Sequence, residues 1–198
     1  MPLSPAVPRR HIHTRRIECR GYLREDGLWD IEAWLEDSKT YAFDNETRGE
    51  VQPGGPVHDM VARLTVDDRL RIHAAEAESR ATPYRICPAA ADGFSRLVGL
   101  RIRPGWMREA AKAYGGREAC THLFELLRPM ATTAFQAIFP WREREAQTAG
   151  EDPGRFSGPP VDSCYAYASD REVVARMVSA EKTGAVKLTS DAADWPPS

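Results

Sequence analysis

The stretch GLWDIEAWL, Gly27 to Leu35, limits what this chain can fold into more than any other. Trp29, Ile31, Ala33 and Leu35 alternate with Leu28, Asp30, Glu32 and Trp34, the period-two rhythm of a β-strand with two different faces. Wound as a helix, the same residues would scatter around the axis and leave no apolar stripe to bury. Asp26-Gly27 just before it reads as a tight turn back to RRIECRGYLR. A second pair follows, VHDMVARLTV and LRIHAAEAES, joined through Asp67, Asp68 and Arg69. Four antiparallel strands are the economical result for the first half. NETRGEVQPGGPV between the hairpins, rich in glycine and proline, is expected to be a surface loop near a site.

After Pro83 the rhythm changes. PYRICPAAADGFSRLVGL, GWMREAAKAYG and CTHLFELLRPMATTAFQAIF read as helices with short glycine-bearing connections. Strands first and helices later make an α+β fold, with an antiparallel sheet of about four strands packed against helices from the C-terminal half. A chain of 198 residues that is 42% hydrophobic can bury one sizeable core and needs no second. The expected division is a flexible basic arm over 1–14, one α+β domain over 15–146, a proline- and glycine-rich linker over 147–160, and a C-terminal helix with a frayed tail over 161–198. Asp162 or Ser169 is the expected cap of that last helix.

A formal charge of -2 gives no global positive field to gather nucleic acid or anionic lipid. The basic run Arg9 to Arg16 is read as a solvated arm. No apolar run approaches the ~20 residues that cross a bilayer, so a cytoplasmic protein without membrane or nucleic-acid partners is expected. Cys19, Cys87, Cys120 and Cys164 form no CxxC pair, which argues against a zinc ribbon or a dithiol motif.

Two histidines carry the chemistry. His58 follows the alternation of Met60, Ala62, Leu64 and Val66 and is expected to point inward from the start of its strand, as a base or as a satisfied core imidazole. His122 falls in the first turn of a helix capped by Cys120 or Thr121, with Glu125 one turn on to hold it, and Leu126, Pro129, Thr133 and Gln136 along a neighbouring stripe. Cys120 is a structural thiol or a nucleophile. Pro129 is expected to bend that helix and free the Glu125 carbonyl. DGLWDIEAWLEDSK adds Asp26, Asp30, Glu32, Glu36, Asp37 and Lys39 on one strand and its ends, with Asp30 or Glu32 expected beside an aromatic surface. Tyr41, Tyr84 and Arg103 are placed near the same opening. His58, His122, Cys87 and Cys120 with Asp30 or Glu125 are donors enough for a metal, but no HExxH or paired-cysteine spacing marks one, and no metal or other cofactor is expected. GxGxxG, GxxxxGK[ST] and GxSxG are absent.

YLREDGLWDIEAWLEDSK, GGPVHDMVARLTVD, TPYRICP, LVGLRIRPGW and CTHLFELLRPMATTAFQ, in this order, resemble an uncharacterised bacterial family, domain of unknown function 2889. The resemblance covers about Arg15 to Gln136, with a weaker echo at Asp162 to Cys164. Ala119 stands where that family commonly has glycine, which puts a left-handed approach to the helix in doubt. The resemblance implies a setting of bacteria that degrade aromatic and lignin-derived compounds, where cofactor-independent lyases release formaldehyde from a hydroxymethyl side chain. No motif specifies that reaction. It needs a base, a proton donor and aromatic walls, for which the chain offers His58, His122, Glu125, Asp30 and Tyr84, then Trp29, Trp34, Trp106 and Phe124. The expectation is therefore a cofactor-independent acid–base carbon–carbon lyase for a small aromatic compound, with which a homodimer is compatible. A metal-dependent hydrolase or lyase and a noncatalytic ligand-binding or regulatory module are the alternatives.

Overall fold

A computed structural model describes residues 2–154, 161–162 and 164–182, with only the backbone of 178–182. The element order is β1 (His13–Leu23), β2 (Trp29–Lys39), β3 (Phe43–Asn45), β4 (Gly49–Val51), β5 (Pro56–Val66), β6 (Ile72–Ala81), a 3-10 segment (Cys87–Leu97), α1 (Trp106–Ala113), α2 (Thr121–Ala149) and α3 (Glu172–Lys182). The fold is α+β. β1, β2, β5 and β6 form one antiparallel sheet in the order β1-β2-β5-β6.

The alternation in β2 does what its period requires. Trp29, Ile31, Ala33 and Leu35 are buried, and Asp30, Glu32 and Trp34 lie on the other face, partly exposed. Gly27 closes the β1–β2 turn with φ 83, a left-handed angle that suits glycine, and Asp26 accepts the Leu28 N–H at 3.2 Å. At the β5–β6 turn, Asp67 accepts the N–H groups of Arg69 and Arg71 at 2.8 and 2.9 Å, which steadies Leu70 at φ 60.

α2 lies across the buried face of β1, β2 and β5. Its stripe of Leu123, Leu126, Leu127, Met130, Ala134 and Ile138 recurs at three- and four-residue steps and is fully buried. Each of those leucines contributes about 1.5–3 kcal/mol through area removed from water. Gly21 lets the helix come close: a Cβ there would stand 2.7 Å from the Ala137 Cβ. The 3-10 segment packs on β6, and Phe94 from it meets Tyr114 edge-on, with ring centroids 5.3 Å apart.

Several boundaries differ from expectation. His13 and Thr14, assigned to a loose arm, already pair with Lys39 and Ser38 in β1. The segment read as a plain loop contains the hairpin β3–β4, because Asn45 ties the turn through Thr47 and Arg48 and donates to the Thr82 carbonyl at 3.0 Å. Residues 87–97 wind as 3-10 rather than α-helix. α2 continues through Pro129 and Pro140 to Ala149, into the expected linker, and Gly150 ends it at φ 72. Neither proposed cap adjoins α3. Asp162 instead accepts the Ser169 N–H at 2.8 Å, and the helix starts at Glu172. Linker positions 155–160 and the tail DWPPS lie outside the described residues. Among the described residues no helix is long and apolar enough to cross a membrane.

Candidate active site

The inward alternation of β2 does not stop at Leu35. It continues to Asp37, whose side chain is 1% exposed, so a carboxylate sits at the end of an apolar face. Strand register then builds a row across three strands: Arg15 of β1 stands opposite Asp37, and Asp37 opposite His58 of β5. The same register that buries Leu35 against Met60 therefore sets a cation, an anion and an imidazole side by side.

Arg15 grips Asp37 with two parallel bonds, Nε to Oδ1 and Nη2 to Oδ2, both 2.8 Å. Its remaining Nη1 donates to Glu125 on α2, so one guanidinium ties β1, β2 and the helix together. His13 Nε2 lies 3.1 Å from Asp37 Oδ1, and His58 Nδ1 lies 2.9 Å from Oδ2. Burial alone would raise the Asp37 pKa. Hydrogen bonds from Arg15 and His13 and the Arg15 charge outweigh it and hold the carboxyl far below its ordinary range.

A carboxylate can only accept, so the proton of His58 resides on Nδ1, where Asp37 fixes it, and Nε2 is left as a lone-pair acceptor. His122 comes down from the first turn of α2 with its ring centroid 3.8 Å from that of His58, the planes tilted by 33°. Its Nε2 is 3.7 Å from Asp37 Oδ2, and its Nδ1 is 3.7 Å from Cys120 Sγ. Burial pushes both imidazole pKa values down, against the pull of Asp37. For His122 the neighbouring His58 pushes further the same way. Both rings are thus neutral at pH 7, with 14% and 22% of their side chains still exposed.

Of the residues selected from sequence, His58, His122, Glu125 and Cys120 come together here. Glu125 does not hold His122 as expected: it pairs with Arg15, and Asp37 takes the carboxylate place beside the rings. Cys120 is partly buried, with Met60 Sδ 3.9 Å from its sulfur. Thr121 opens the helix with an exposed side chain. Ala119 approaches in extended backbone, φ -130 and ψ 158, a conformation alanine adopts freely, so no glycine is needed there.

The others lie elsewhere. Asp30 is on the opposite face of β2, taking the Thr65 hydroxyl at 2.7 Å and Arg24 at 3.3 Å. Trp34 shares that face under Arg20, 5.0 Å from its ring centroid. Trp29 is buried at the far end of β2, eight residues and about 27 Å of strand from Asp37. Trp106 is a core residue, Tyr84 is 60% exposed, and Arg103 pairs with Glu109 at 2.9 Å on the surface. Gln136 is exposed about 21 Å of helical rise beyond His122.

Arg15 and His13 are residues that sequence reasoning missed, and Asp37 was named only within the acidic run of its strand, without a role beside the imidazoles. For Asp37 the signal existed: one more step of the odd-numbered alternation beyond Leu35 places it inward. Arg15 and His13 were hidden in a basic run. Ser79, opposite Met60, adds a buried hydroxyl with no hydrogen-bond partner among the described residues. One ligand atom each from Asp37, His58 and His122 fall within 4.8 Å of one another, so these three are the residues that could hold a metal ion.

Comparison with known proteins finds no match among curated proteins or solved structures. The family model described as "Protein of unknown function (DUF2889)" matches residues 13–136, which span every strand of the sheet, the imidazole pair and the first half of α2. The chain belongs to that family.

Proposed function

We propose that the protein is an acid–base enzyme acting on a small aromatic compound, most concretely a carbon–carbon lyase that releases formaldehyde from a hydroxymethyl side chain. One observation carries the reading: His58 Nδ1 is fixed on a carboxylate at 2.9 Å, with a second, partly open imidazole whose ring centroid is 3.8 Å away. A base near neutrality must be uncharged and aimed, and burial together with Asp37 supplies both conditions. In the proposed step His58 Nε2 takes the hydroxyl proton. The O–H pair becomes the second C–O bond of formaldehyde, and the carbon–carbon pair stays on the carbon next to the ring. That carbon then receives the proton from the His58 imidazolium, whose transient charge Asp37 stabilises. His122 orients the substrate with its own N–H.

The test is formaldehyde release from a lignin-type dimer bearing a hydroxymethyl group. His58→Ala is expected to lose about 10²–10⁴-fold in rate while unfolding at the wild-type temperature; a folded variant that retains the rate ends the reading. The clustering of three donor atoms within 4.8 Å favours a second reading, a metal-dependent lyase or hydrolase in which Asp37 exchanges the His58 proton for the ion. Activity lost to a chelator and restored by zinc or iron would select it. The proposal includes a cytoplasmic location and, through the open edge of β1, a homodimer. Sedimentation of the chain as a monomer would remove the dimer from it.

A further inference from the structure

Lys39 closes β2 two residues beyond Asp37, in register opposite His13, which itself touches Asp37. Its ammonium lies against two aromatic rings, 5.2 Å from the centroid of Tyr41 and 4.7 Å from that of Phe43. No carboxylate among the described residues pairs with it, whereas Arg15, one strand step away in the imidazole row, is committed to Asp37 and Glu125. The Lys39 carbonyl accepts the Gly54 N–H at 2.8 Å, which fastens this end of β2 to the loop leading into His58. The cation is therefore held by rings that leave its charge uncompensated. Along the backbone, Lys39 lies one two-residue strand step, about 7 Å, from Asp37 of the imidazole row.

We propose that Lys39, cradled by Tyr41 and Phe43, binds an anionic oxygen of the substrate, a carboxylate or phenolate on an aromatic ring that reaches the His58–His122 pair. This rests on the aromatic-substrate reading above and narrows it to anionic aromatics. An ammonium is a point charge that accepts such an oxygen without a fixed fork, so charge rather than bidentate geometry sets the selection.

Binding of benzoate and of its uncharged isostere benzamide, measured by titration calorimetry, tests the inference on the full chain without any turnover. Wild type is expected to bind benzoate more tightly than benzamide. Lys39→Met is expected to weaken benzoate by about tenfold and leave benzamide unchanged, and Lys39→Arg to restore most of the loss. Formaldehyde release is read separately from binding, so loss of the lyase reading alone leaves this result standing. Absence of benzoate binding by wild type, equal binding by the folded Lys39→Met protein, or equal weakening of benzamide each overturns the inference.

Discussion

The helix–sheet interface is fastened at both ends by an arginine and an aspartate, and the two fastenings differ instructively. At one end Arg142 of α2 reaches Asp68 at 2.9 Å, lies over Trp29 at 5.6 Å, and shares Asp68 with the Trp29 Nε1–H at 2.9 Å. At the other end Arg15 of β1 reaches Asp37 and Glu125, with the His58–His122 pair where the first has the Trp29 indole. Both clusters clamp α2 to the sheet, so an ion pair there is structural by default. What separates them is the imidazole pair and the depth of the carboxylate: Asp37 is 1% exposed and Asp68 33%. Imidazoles exchange protons near neutral pH, and the second end carries the His58–His122 pair.

The largest test of that contrast is to remove each aspartate. Asp37→Ala is expected to cost about 3–5 kcal/mol in urea denaturation, because a buried partner of Arg15 and three imidazoles disappears. Asp68→Ala is expected to cost about 1–2 kcal/mol, since solvent replaces part of what is lost. Equal losses would make the two clamps equivalent and dissolve the comparison. Smaller is the effect of Arg142→Ala, about 1 kcal/mol, read as a lowered melting temperature with unchanged formaldehyde release. A fall in turnover from that change would show that the distal clamp is coupled to the site.

The finest test is pH. His58 and His122 have folded pKa values below the ordinary 6.5, so the unfolded chain binds more protons just below that pH. Stability should fall as pH drops below about 6.5, the loss being complete once both folded values are passed. Asp37, lowered from 3.8, adds stability that is intact above pH 3.8 and disappears only in stronger acid. Urea midpoints between pH 7.5 and 5 check the first window, and a His58→Phe, His122→Leu double variant should flatten it. An unchanged slope would place the titrating groups elsewhere.

Much of this was legible in the chain itself. The β2 alternation and the two tight turns specify the sheet, because side chains on a strand must point to opposite faces and Asp-Gly permits the reversal. His58 pointed inward for the same reason, and His122 fell in the first turn of α2 by its distance from Cys120. Asp30 was misplaced through its neighbours: charge and adjacent tryptophan suggested a site, but its parity puts it on the outer face with Thr65 and Arg24. Glu125 was given to His122 because one turn separates them, and helical spacing says nothing of a competing arginine from another element.

The sequence by itself determined a four-stranded antiparallel sheet under a long amphipathic helix, with His58 on the one and His122 on the other, since periodicity is a local property that backbone geometry imposes. Only the tertiary structure decided that Arg15, Asp37 and His58 share a row and that α2 sets His122 upon it. Those partners lie 22, 21 and 85 residues apart along the chain. Strand register and helix docking brought them together, and both depend on burying Leu35, Met60 and Leu126 rather than on any rule for the charged residues beside them.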